Sequence, residues 1–537
     1  MKIRLPGFGT STLTLLVSLW LLAVDNVPFW RTVWSAIGGL RADNVLFVLA
    51  LPVFALAWTF LLLSLITWGR ATKPVLCVVL LISAAISYFA NTYGVLIDRT
   101  MIANIVQTDP AEALDLMSWG LAAWLLLSGV LPAAAIVRMR AVPQPWTGEL
   151  MAKGAGILAA ALCLGIAVFS SYQNFASLLR NHREIRLMLA PYNAFAAVHS
   201  YLGRQFAGPT VVQVIGADAA RTDTTPGKPA LTLLVIGETA RAENFSFNGY
   251  ARSTNPELAR RNVLYFSNVS SCGTSTAVSL PCMFLDVGRG GFEDSLALRR
   301  EGLLDVLKHA GVAVLWRDNN SGCKGVCDRV PNEDLSNLPL PALCSGGECF
   351  DEVLLHGLQD YLDKLDRDAV IVLHMKGSHG PAYFKRYPPA FAEFKPACEN
   401  VQLDRCSRES IVNAYDNTLR YSDHVLGLAI DLLKANSKRF DAGMLYVSDH
   451  GESLGEKGLY LHGVPYALAP REQTHVPMVL WLSEGLRERR GINIGCLEAR
   501  RGEPLSHDNL FHTVLGLAAV RTSVYQPERD FLRACRS

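Results

Sequence analysis

Long apolar stretches in the first 170 residues of this 537-residue chain constrain its fold more than any other feature. The middle three stretches are long enough to cross roughly 30 Å of hydrocarbon as helices, whereas the first and last need flanking residues to do so. A composition of 50% hydrophobic and 18% charged residues, with a mean hydropathy of +0.22, also favours a membrane protein. The five candidate spans are residues 10–24, 44–67, 74–95, 118–139 and 154–169.

Basic residues occur before the first span and in alternate loops, whereas the loop over residues 98–115 is mainly acidic. The positive-inside rule therefore places the amino terminus in the cytoplasm, and five crossings place everything after about residue 170 outside. The first span could instead be a signal peptide, but no small-residue cleavage site follows it and four more spans do. The basic residues are Lys2, Arg4, Arg70, Lys73, Arg138, Arg140 and Lys153.

Ten of the 12 cysteines lie after residue 170, and only Cys77 and Cys163 fall within predicted spans. Close pairs of cysteines suit disulfides in an oxidising compartment such as a periplasm. Zinc binding is the rival interpretation for Cys323 and Cys327, whose spacing would allow it. Sequence alone does not define connectivity. The close pairs are Cys272 with Cys282, Cys323 with Cys327, Cys344 with Cys349 and Cys398 with Cys406, and Cys496 with Cys535 is a candidate fifth.

The sequence divides into a membrane domain over residues 1–170, a bridge over 171–229 and an α/β domain over 230–537. Within the bridge, residues 178–189 predict a basic amphipathic helix on the membrane surface, and residues 218–229 a polar linker. The α/β domain alternates helical patterns with continuously apolar strands, which predicts a parallel sheet covered on both faces. The predicted strands are residues 231–236, 312–316, 369–373, 444–447 and 476–482, and the predicted helices 302–310, 350–365, 409–435 and 507–517.

Polar side chains follow four of the predicted strands. Open α/β sheets bind ligands beyond the carboxyl ends of their strands, so these side chains are expected to meet at one place. The residues are Glu238 after the first strand, Asp318, Asn319 and Asn320 after the second, His379 beyond the third, and Asp449 and His450 after the fourth.

The carboxylates of Glu238 and Asp449 and the imidazole of His450 suit a divalent ion, with Zn²⁺ or Mn²⁺ the main choices. A hydroxyl cluster at residues 274–276 precedes a possible helix, whose start would stabilise a phosphate. A metal beside such a hydroxyl favours attack on phosphorus. Physical reasoning alone does not choose among Thr274, Ser275 and Thr276.

Six motifs occur in one order: GET at 237–239, CGTSTAVSLPC at 272–282, DNNSGCKG at 318–325, GSHGP at 377–381, SDHGESLGE at 448–456 and LHGVP at 461–465. Together they resemble the membrane-bound phosphoethanolamine transferases that modify lipid A, a group that includes the mobile colistin-resistance enzymes. That family belongs to the alkaline phosphatase/sulfatase superfamily. The resemblance extends over nearly the whole chain and implies a five-helix α-helical transmembrane domain followed by an α/β/α sulfatase-like catalytic domain.

The resemblance also implies roles for individual residues. Thr276 would be the nucleophile and would join the three metal-binding residues at one zinc ion, with a second zinc possible. The outer loop over residues 97–116 would lie near the catalytic domain. His374 and His475 are assigned structural roles. The residues expected to bind the phosphoethanolamine group or the second zinc are Asn320, Lys324, His379 and His462. The candidate lipid contacts are Asn104 and Glu112.

The implied reaction moves phosphoethanolamine from phosphatidylethanolamine to Thr276 and then to a phosphate of lipid A. It would lower the negative charge of the cell surface and give resistance to polymyxin and other cationic peptides. We expect a monomer of the bacterial inner membrane, in contact with membrane lipids and with its catalytic domain in the periplasm. No basic run or aromatic-interleaved patch indicates nucleic-acid binding.

Three alternatives remain open from the sequence. The acceptor could be a core sugar of lipopolysaccharide rather than lipid A. The chain could be a membrane-anchored phosphodiesterase or sulfatase that passes the group to water. It could also be a metal-stabilised envelope scaffold or sensor without activity, although a complete set of nucleophile, carboxylates and histidines favours an enzyme.

Overall fold

The computed structural model of the chain describes residues 7–41, 44–108, 113–114, 116–142, 145–172, 174–175, 178, 185, 187–205, 211–223, 227–345, 347–401 and 403–536. The chain forms two compact units. One comprises Met1–Ile102 and Met117–Gln205, and the other comprises Ala103–Leu116 and Phe206–Ser537.

The first unit is helical. Four of its segments are long and apolar enough to cross a membrane, and there are five crossings if the pair Thr10–Asp25 and Val27–Ile37, bent by 66°, is one span. Two π-helical segments, Leu21–Asp25 and Leu125–Val130, continue α1 and α6. The helices of the first unit are α1 Thr10–Trp20, α2 Val27–Ile37, α3 Val45–Ile66, α4 Thr72–Tyr93, the first residues of α5 Arg99–Gln107, α6 Trp119–Trp124, α7 Leu131–Arg138, α8 Trp146–Ser170 and α9 Tyr192–Gln205, with short strands β1 Gly7–Phe8 and β2 Arg140–Ala141. The remainder of α5, from Ala103, belongs to the second unit.

The last span is longer than the sequence predicted: α8 has 25 residues, whereas the prediction covered only 154–169. The sequence predicts Lys153 in the loop between the fourth and fifth spans. In the structure its Nζ donates to Thr67 Oγ1 at 2.8 Å, and Glu149 one turn earlier accepts from the main-chain N–H of Gly69 at 2.7 Å. Polar partners therefore satisfy both buried charged groups within the helix.

The predicted bridge is only partly described. Most of the predicted amphipathic helix at 178–189 lies outside the described residues. The stretch predicted as a polar linker contains strand β3, Ala220–Arg221, which pairs with a strand near the carboxyl terminus, Val520–Arg521. That part of the linker prediction is wrong because its main chain is hydrogen-bonded into a two-stranded sheet.

The second unit is built on an eight-stranded mixed sheet whose order is β15-β5-β14-β11-β4-β10-β6-β7. Five neighbouring pairs are parallel, but β14 is antiparallel to both β11 and β5. The expectation of a wholly parallel sheet is thus wrong, because continuous apolarity reports burial of both faces and not strand direction. The strands are β4 Ala230–Gly237, β5 Leu264–Ser270, β6 Ala313–Asp318, β7 Asn332–Asp334, β8 Cys344–Ser345, β9 Glu348–Cys349, β10 Ala369–His374, β11 Asp441–Ser448, β12 Ser453–Leu454, β13 Tyr460–Leu461, β14 His475–Leu482, β15 Leu505–Ser506 and β16 Val520–Arg521.

Helices cover both faces of this sheet. Along β4, Leu231 and Leu233 belong to one hydrophobic cluster, whereas Leu234 and Ile236 belong to another. The longest helix of the unit, α16, has 28 residues and contributes to the first cluster. The helices are α10 Pro256–Ala259, α11 Thr276–Met283, α12 Gly288–Gly291, α13 Leu296–Arg299, α14 Leu303–His309, α15 Leu358–Lys364, α16 Arg408–Ala435, α17 Arg471–Thr474, α18 Glu484–Arg489, α19 Ile494–Arg500 and α20 Leu510–Leu517.

All five predicted disulfides are present. Cys77 and Cys163 are free thiols. Because the sulfurs of Cys323 and Cys327 are bonded to each other, they cannot bind zinc as thiolates, and the disulfide interpretation of that pair is confirmed. The bonded pairs are Cys272–Cys282, Cys323–Cys327, Cys344–Cys349, Cys398–Cys406 and Cys496–Cys535.

The fourth disulfide joins Cys398 and Cys406 in the segment just before α16. Cys398 is 4% exposed, whereas Cys406 is only half-buried. The main-chain N–H of Cys398 donates to the carbonyl of Ser410 in α16 at 2.9 Å, and that of Cys406 donates to the carbonyl of Leu403 at 3.1 Å. This crosslink therefore fastens an irregular segment to the first turn of the longest helix.

The central strand offers a test of this packing. Leu233 is fully buried in β4, so Leu233→Ala should lower the free energy of unfolding by about 2–5 kcal/mol, which corresponds to a fall in Tm of about 4–10 °C. Leu298→Ala is the matched control, because that leucine is 59% exposed and its truncation should change stability by less than about 0.5 kcal/mol. Thermal unfolding of the full chain in detergent measures both, and equal shifts would contradict the placement of β4.

Candidate active site

The hydroxyl cluster lies in a loop between β5 and α11 that the disulfide Cys272–Cys282 closes. Thr276 is the first residue of α11, and Ser275 before it is extended, with φ −152° and ψ 151°. The Thr274 hydroxyl donates to the main-chain oxygen of Val464 at 2.7 Å. The structure thus separates residues that the sequence could not distinguish, because Thr274 is used to hold the loop.

Thr276 faces the polar ends of the sheet. Its Oγ1 donates to Glu238 Oε2 at 2.8 Å and lies 3.4 Å from His450 Nε2. Glu238 follows β4, while Asp449 and His450 follow its parallel neighbour β11. The strand ends therefore bring Glu238, Asp449 and His450 together, and the hydroxyl cluster contributes Thr276 to the same place.

Backbone groups fix the orientation of the cluster. The main-chain N–H groups of Thr239 and His450 donate to Asp449 Oδ1 at 3.3 and 2.7 Å. His450 Nδ1 donates to the carbonyl of Gly451 at 3.0 Å, so Nε2 is the nitrogen turned to the carboxylates. It lies 3.2 Å from Glu238 Oε1 and 3.4 Å from Asp449 Oδ2.

The charges of this cluster are poorly balanced by protein alone. Although burial opposes it, the charge of His450 holds the pKa of Glu238 well below its usual range. Burial, together with the charge of Glu238, raises the pKa of Asp449 to about 7. Against its own burial, the two carboxylates raise the pKa of His450 to about 10. Two buried carboxylates thus compete for one cation.

These residues fit a metal ion. One ligand atom from each of Glu238, Asp449 and His450 lies within 4.8 Å of the others, and all three side chains are buried. Glu238 Oε1 and Asp449 Oδ2 accept no hydrogen bond from the residues that the structure describes. Buried carboxylate oxygens require a partner, and a divalent cation between these oxygens and the imidazole nitrogen would satisfy them.

A hydrogen-bonded chain supports Glu238 from the side of β6. Asn320 Nδ2 donates to Glu238 Oε2 at 2.8 Å and to the main-chain oxygen of Met375 at 3.0 Å. It also lies 3.4 Å from His374 Nε2, and His374 Nδ1 bonds to Asp318 Oδ2 at 2.9 Å. Although burial opposes it, the Asp318 carboxylate raises the pKa of His374. Glu238, Asp449 and His450 together form what we call the metal-type cluster. His374, expected to be only structural, is therefore one side chain away from this cluster.

Two further predicted histidines lie beside His450. The ring of His462 is 4.4 Å from that of His450 between centroids, and the ring of His379 is 5.5 Å from that of His462. His462 Nδ1 bonds to Glu452 Oε2 at 3.0 Å, and Tyr383 donates to the other oxygen of this carboxylate at 2.6 Å. Burial and the neighbouring His450 lower the pKa of His462, which favours a neutral ring.

Known proteins with similar sequences identify the family to which this site belongs. The sulfatase family matches residues 230–520, and the family described as phosphoethanolamine transferase EptA/EptB matches residues 55–206. Phosphoethanolamine transferase EptA of Escherichia coli K12 is 44% identical over 540 residues, which cover 99% of this chain and 98% of that protein. The chain belongs to the phosphoethanolamine transferase family.

Two other relatives extend the comparison. Phosphatidylethanolamine transferase Mcr-1 of Escherichia coli is 38% identical over 533 residues, or 96% of both chains. The solved integral membrane lipooligosaccharide phosphoethanolamine transferase A (EptA) of Neisseria meningitidis matches with a TM-score of 0.95 and 37% identity, over 99% of this chain and 100% of that one. This chain is accordingly an integral protein of the bacterial inner membrane, with its catalytic domain in the periplasm.

The remaining predicted residues of this transferase lie in several places. Lys324 Nζ donates to the main-chain oxygen of Ser321 at 2.8 Å and to its Oγ at 3.0 Å, on the loop that carries Asn320. Asn104 lies in α5, where its carbonyl accepts from Thr108 Oγ1 at 2.7 Å. Glu112 lies outside the described residues. His475, expected to be structural, bonds to Glu243 Oε1 at 2.7 Å and to the main-chain oxygen of Ser267 at 2.8 Å.

The disulfide cysteines differ in their relation to this site. Cys272 and Cys282 close the loop that carries Thr276, so their bond borders the Thr276 hydroxyl. Cys406, by contrast, is half-buried, is bonded to Cys398 before α16, and supplies no ligand atom to the metal-type cluster. The prediction of Cys406 as a disulfide partner is confirmed, but its role is to support the fold and not the chemistry.

Several supporting residues were not predicted. Glu452 lies within the SDHGESLGE motif and could have been inferred as a histidine partner, since carboxylates commonly orient such rings. Tyr383 and His507 lie in other segments. Local sequence gives no signal for them because each acts through a contact with a distant segment.

The metal interpretation yields a direct test. Asp449→Asn keeps the side-chain shape but removes one charge. Loss of a residue that only orients a metal ligand already costs up to about 100-fold in metal affinity, so loss of the ligand itself should weaken metal binding by at least about 100-fold. Titration of the purified full chain against a competing chelator measures this affinity.

Asp423→Asn is the matched control. Asp423 is also buried but accepts from the main-chain N–H groups of Glu257 and Leu258 at 2.7 and 3.0 Å. This control should leave metal affinity unchanged. An Asp449→Asn protein that binds metal as tightly as the parent chain would exclude the carboxylate as a ligand.

Proposed function

We propose that this chain transfers phosphoethanolamine from phosphatidylethanolamine to a phosphate of lipid A through a covalent intermediate on Thr276. The observation that carries the proposal is the hydroxyl of Thr276 at the start of α11, hydrogen-bonded to Glu238 within a buried metal-type cluster. The names of the relatives support the chemistry, since one is a phosphatidylethanolamine transferase and another acts on lipooligosaccharide. The transferase works as a monomer.

Zinc is the proposed metal, held by Glu238, Asp449, His450 and Thr276. Two carboxylates, an imidazole and a hydroxyl give the four N and O ligands that zinc accepts. When bound, zinc lowers the pKa of an attacking hydroxyl and offsets negative charge on the transferred group. His379 and His462 supply imidazole nitrogens for the phosphoethanolamine group or for a second zinc.

In the first half-reaction, Thr276 Oγ1 attacks the phosphorus of phosphatidylethanolamine. Glu238 Oε2, which accepts the hydrogen bond of this hydroxyl, is placed to receive its proton. The bond from phosphorus to the diacylglycerol oxygen breaks, and that oxygen takes up a proton and leaves as diacylglycerol. His379, whose ring lies 5.5 Å from that of His462, would give that proton and would regain one from the attacking lipid A phosphate in the second half-reaction.

Positive and dipolar groups would hold the phosphoryl oxygens during this step. The amino end of α11 carries the partial positive charge of the helix dipole, which stabilises an anion on its first residue. Lys324 adds an ammonium group as a donor. Asn320, on the same loop, acts through Glu238, because both N–H bonds of its amide are used on Glu238 and on the carbonyl of Met375. Ser321 holds both side chains within this loop. Its main-chain N–H donates to Asn320 Oδ1 at 2.7 Å, and its Oγ accepts from Lys324 Nζ at 3.0 Å.

In the second half-reaction, an oxygen of a lipid A phosphate attacks the same phosphorus and Thr276 leaves with its proton restored. Both substrates are lipids of the envelope, which accounts for the attachment of the catalytic domain to a membrane unit. The product gains an amine, so the cell surface becomes less anionic and binds polymyxin and other cationic peptides less tightly.

Removal of the nucleophile should abolish the reaction. Thr276→Ala should give no phosphoethanolamine adduct on lipid A in a host that lacks its own such enzymes, whereas the parent chain should give one. Thr274→Ala is the matched control, because its hydroxyl is bonded to Val464 and it should retain the adduct at a reduced level. Mass spectrometry of extracted lipid A measures the adduct. Mass spectrometry of the intact protein measures the intermediate on Thr276.

The same experiment separates the alternatives. An adduct on core sugars but not on lipid A would change the acceptor and keep the nucleophile. Free phosphoethanolamine released without acceptor, at the rate of intermediate formation, would indicate a phosphodiesterase. An adduct at the parent level in Thr276→Ala would overturn the proposal.

A further inference from the structure

A buried histidine outside every predicted motif connects the two segments that carry the site. His507 follows β15, is 1% exposed, and packs against the loop that carries Thr276. Its Nδ1 lies 3.0 Å from the main-chain nitrogen of Cys272, and its Nε2 lies 2.9 Å from the main-chain oxygen of Ser448. Cys272 is four residues before Thr276, and Ser448 immediately precedes Asp449.

The two main-chain partners fix the tautomer of this ring. The Ser448 carbonyl can only accept, so Nε2 must carry a hydrogen and donate it. The Cys272 N–H can only donate, so Nδ1 must be the unprotonated nitrogen. One neutral imidazole therefore satisfies a buried donor on the loop and a buried acceptor on β11, and neither partner tolerates the other tautomer.

Ser279 strengthens the same connection from within α11. Its hydroxyl donates to the main-chain oxygen of Asp449 and accepts from the N–H of Gly273 at 3.3 Å. Its Oγ also lies 3.2 Å from His507 Nδ1. Loop, helix and strand end thus meet at this ring.

Other contacts do not make this connection. The disulfide Cys272–Cys282 closes the loop on itself, and the bonds of Thr274 tie it to residues 463 and 464. Among the described residues, only Thr276, Ser279 and His507 join the loop side of the site to the end of β11 through hydrogen bonds. In the proposed function Thr276 is the reacting group. Ser279 and His507 are therefore the residues that set the distance between the Thr276 loop and the end of β11.

We infer that His507 is a positioning residue that holds the Thr276 hydroxyl in register with Asp449 and His450. This inference rests on the proposed function for the identity of the nucleophile. It assigns His507 no contact with substrate or metal. Its role is to keep the amino end of α11 at a fixed distance from the end of β11, where an error of about 1 Å can cost about 100-fold in rate.

A neighbouring histidine provides the matched control. His512 is 0% exposed and its Nδ1 also accepts a main-chain N–H, that of Gln526 at 3.1 Å. Both of these residues belong to the carboxyl-terminal segment, so loss of the ring should destabilise the fold without moving the Thr276 loop.

The test uses the full chain in detergent with zinc and three variants: His507→Leu, His507→Asn and His512→Leu. Hydrogen–deuterium exchange of the peptide over residues 268–284 reports the loop directly. Intact-mass measurement after mixing with phosphatidylethanolamine micelles gives the rate of intermediate formation per folded molecule, and bound zinc is counted on each sample.

We expect His507→Leu to exchange faster over residues 268–284 and to form the intermediate about 10- to 100-fold more slowly, with zinc content unchanged. His507→Asn should recover part of both properties, because its side-chain oxygen can accept from Cys272 in place of Nδ1. His512→Leu should lower Tm but leave the exchange of the loop and the rate at parent values.

Parent-like loop exchange in His507→Leu would overturn the inference, as would an intermediate rate equal to that of His512→Leu. Loss of zinc in His507→Leu would also overturn it, because the residue would then act on the metal site as a whole. If the parent chain itself forms no intermediate, the proposed function fails, and loop exchange alone still decides whether His507 holds the loop.

Discussion

Two buried carboxylates directed at one imidazole impose the constraint on which the catalytic unit depends. Glu238 and Asp449 are excluded from water, and like charges at such short range repel strongly in a medium of low polarity. Only a rigid framework can hold them together. The parallel strands β4 and β11 provide it, since their registered hydrogen bonds continue to Gly237 and Ser448, one residue before each carboxylate.

The surrounding polar groups stabilise the negative charge of these two carboxylates. Main-chain N–H groups hold one oxygen of Asp449, and Asn320 and Thr276 donate to one oxygen of Glu238, so that a single oxygen of each carboxylate is left facing His450. Outer partners then orient the inner ones, as Asp318 does for His374 and Glu452 for His462. Polar partners thus surround Glu238, Asp449 and His450 and fix the orientation of their side chains.

The sequence predicted the parts of the structure that follow from local pattern. Strand ends identified Glu238, Asn320, Asp449 and His450 because parallel strands deliver their carboxyl ends to one edge. Cysteine spacing identified the disulfides. The sequence could not predict the direction of β14, because burial of both faces looks alike in either direction. It could not predict the start of α8, because the hydrogen-bond partner of Lys153, Thr67, lies just beyond the end of a distant helix, α3. The choice of Thr276 over Thr274 depends on a contact with Val464 that no local pattern encodes.

The disulfide across the Thr276 loop has a consequence for the life of the protein. Cysteines 272 and 282 are synthesised in a reducing cytoplasm, and the loop can be closed only after the second unit has been translocated. Membrane insertion, export and thiol oxidation therefore precede closure of the loop that carries Thr276. The Cys272–Cys282 crosslink therefore forms only in the compartment where the transferase works, and closure of this loop depends on the oxidising capacity of the envelope.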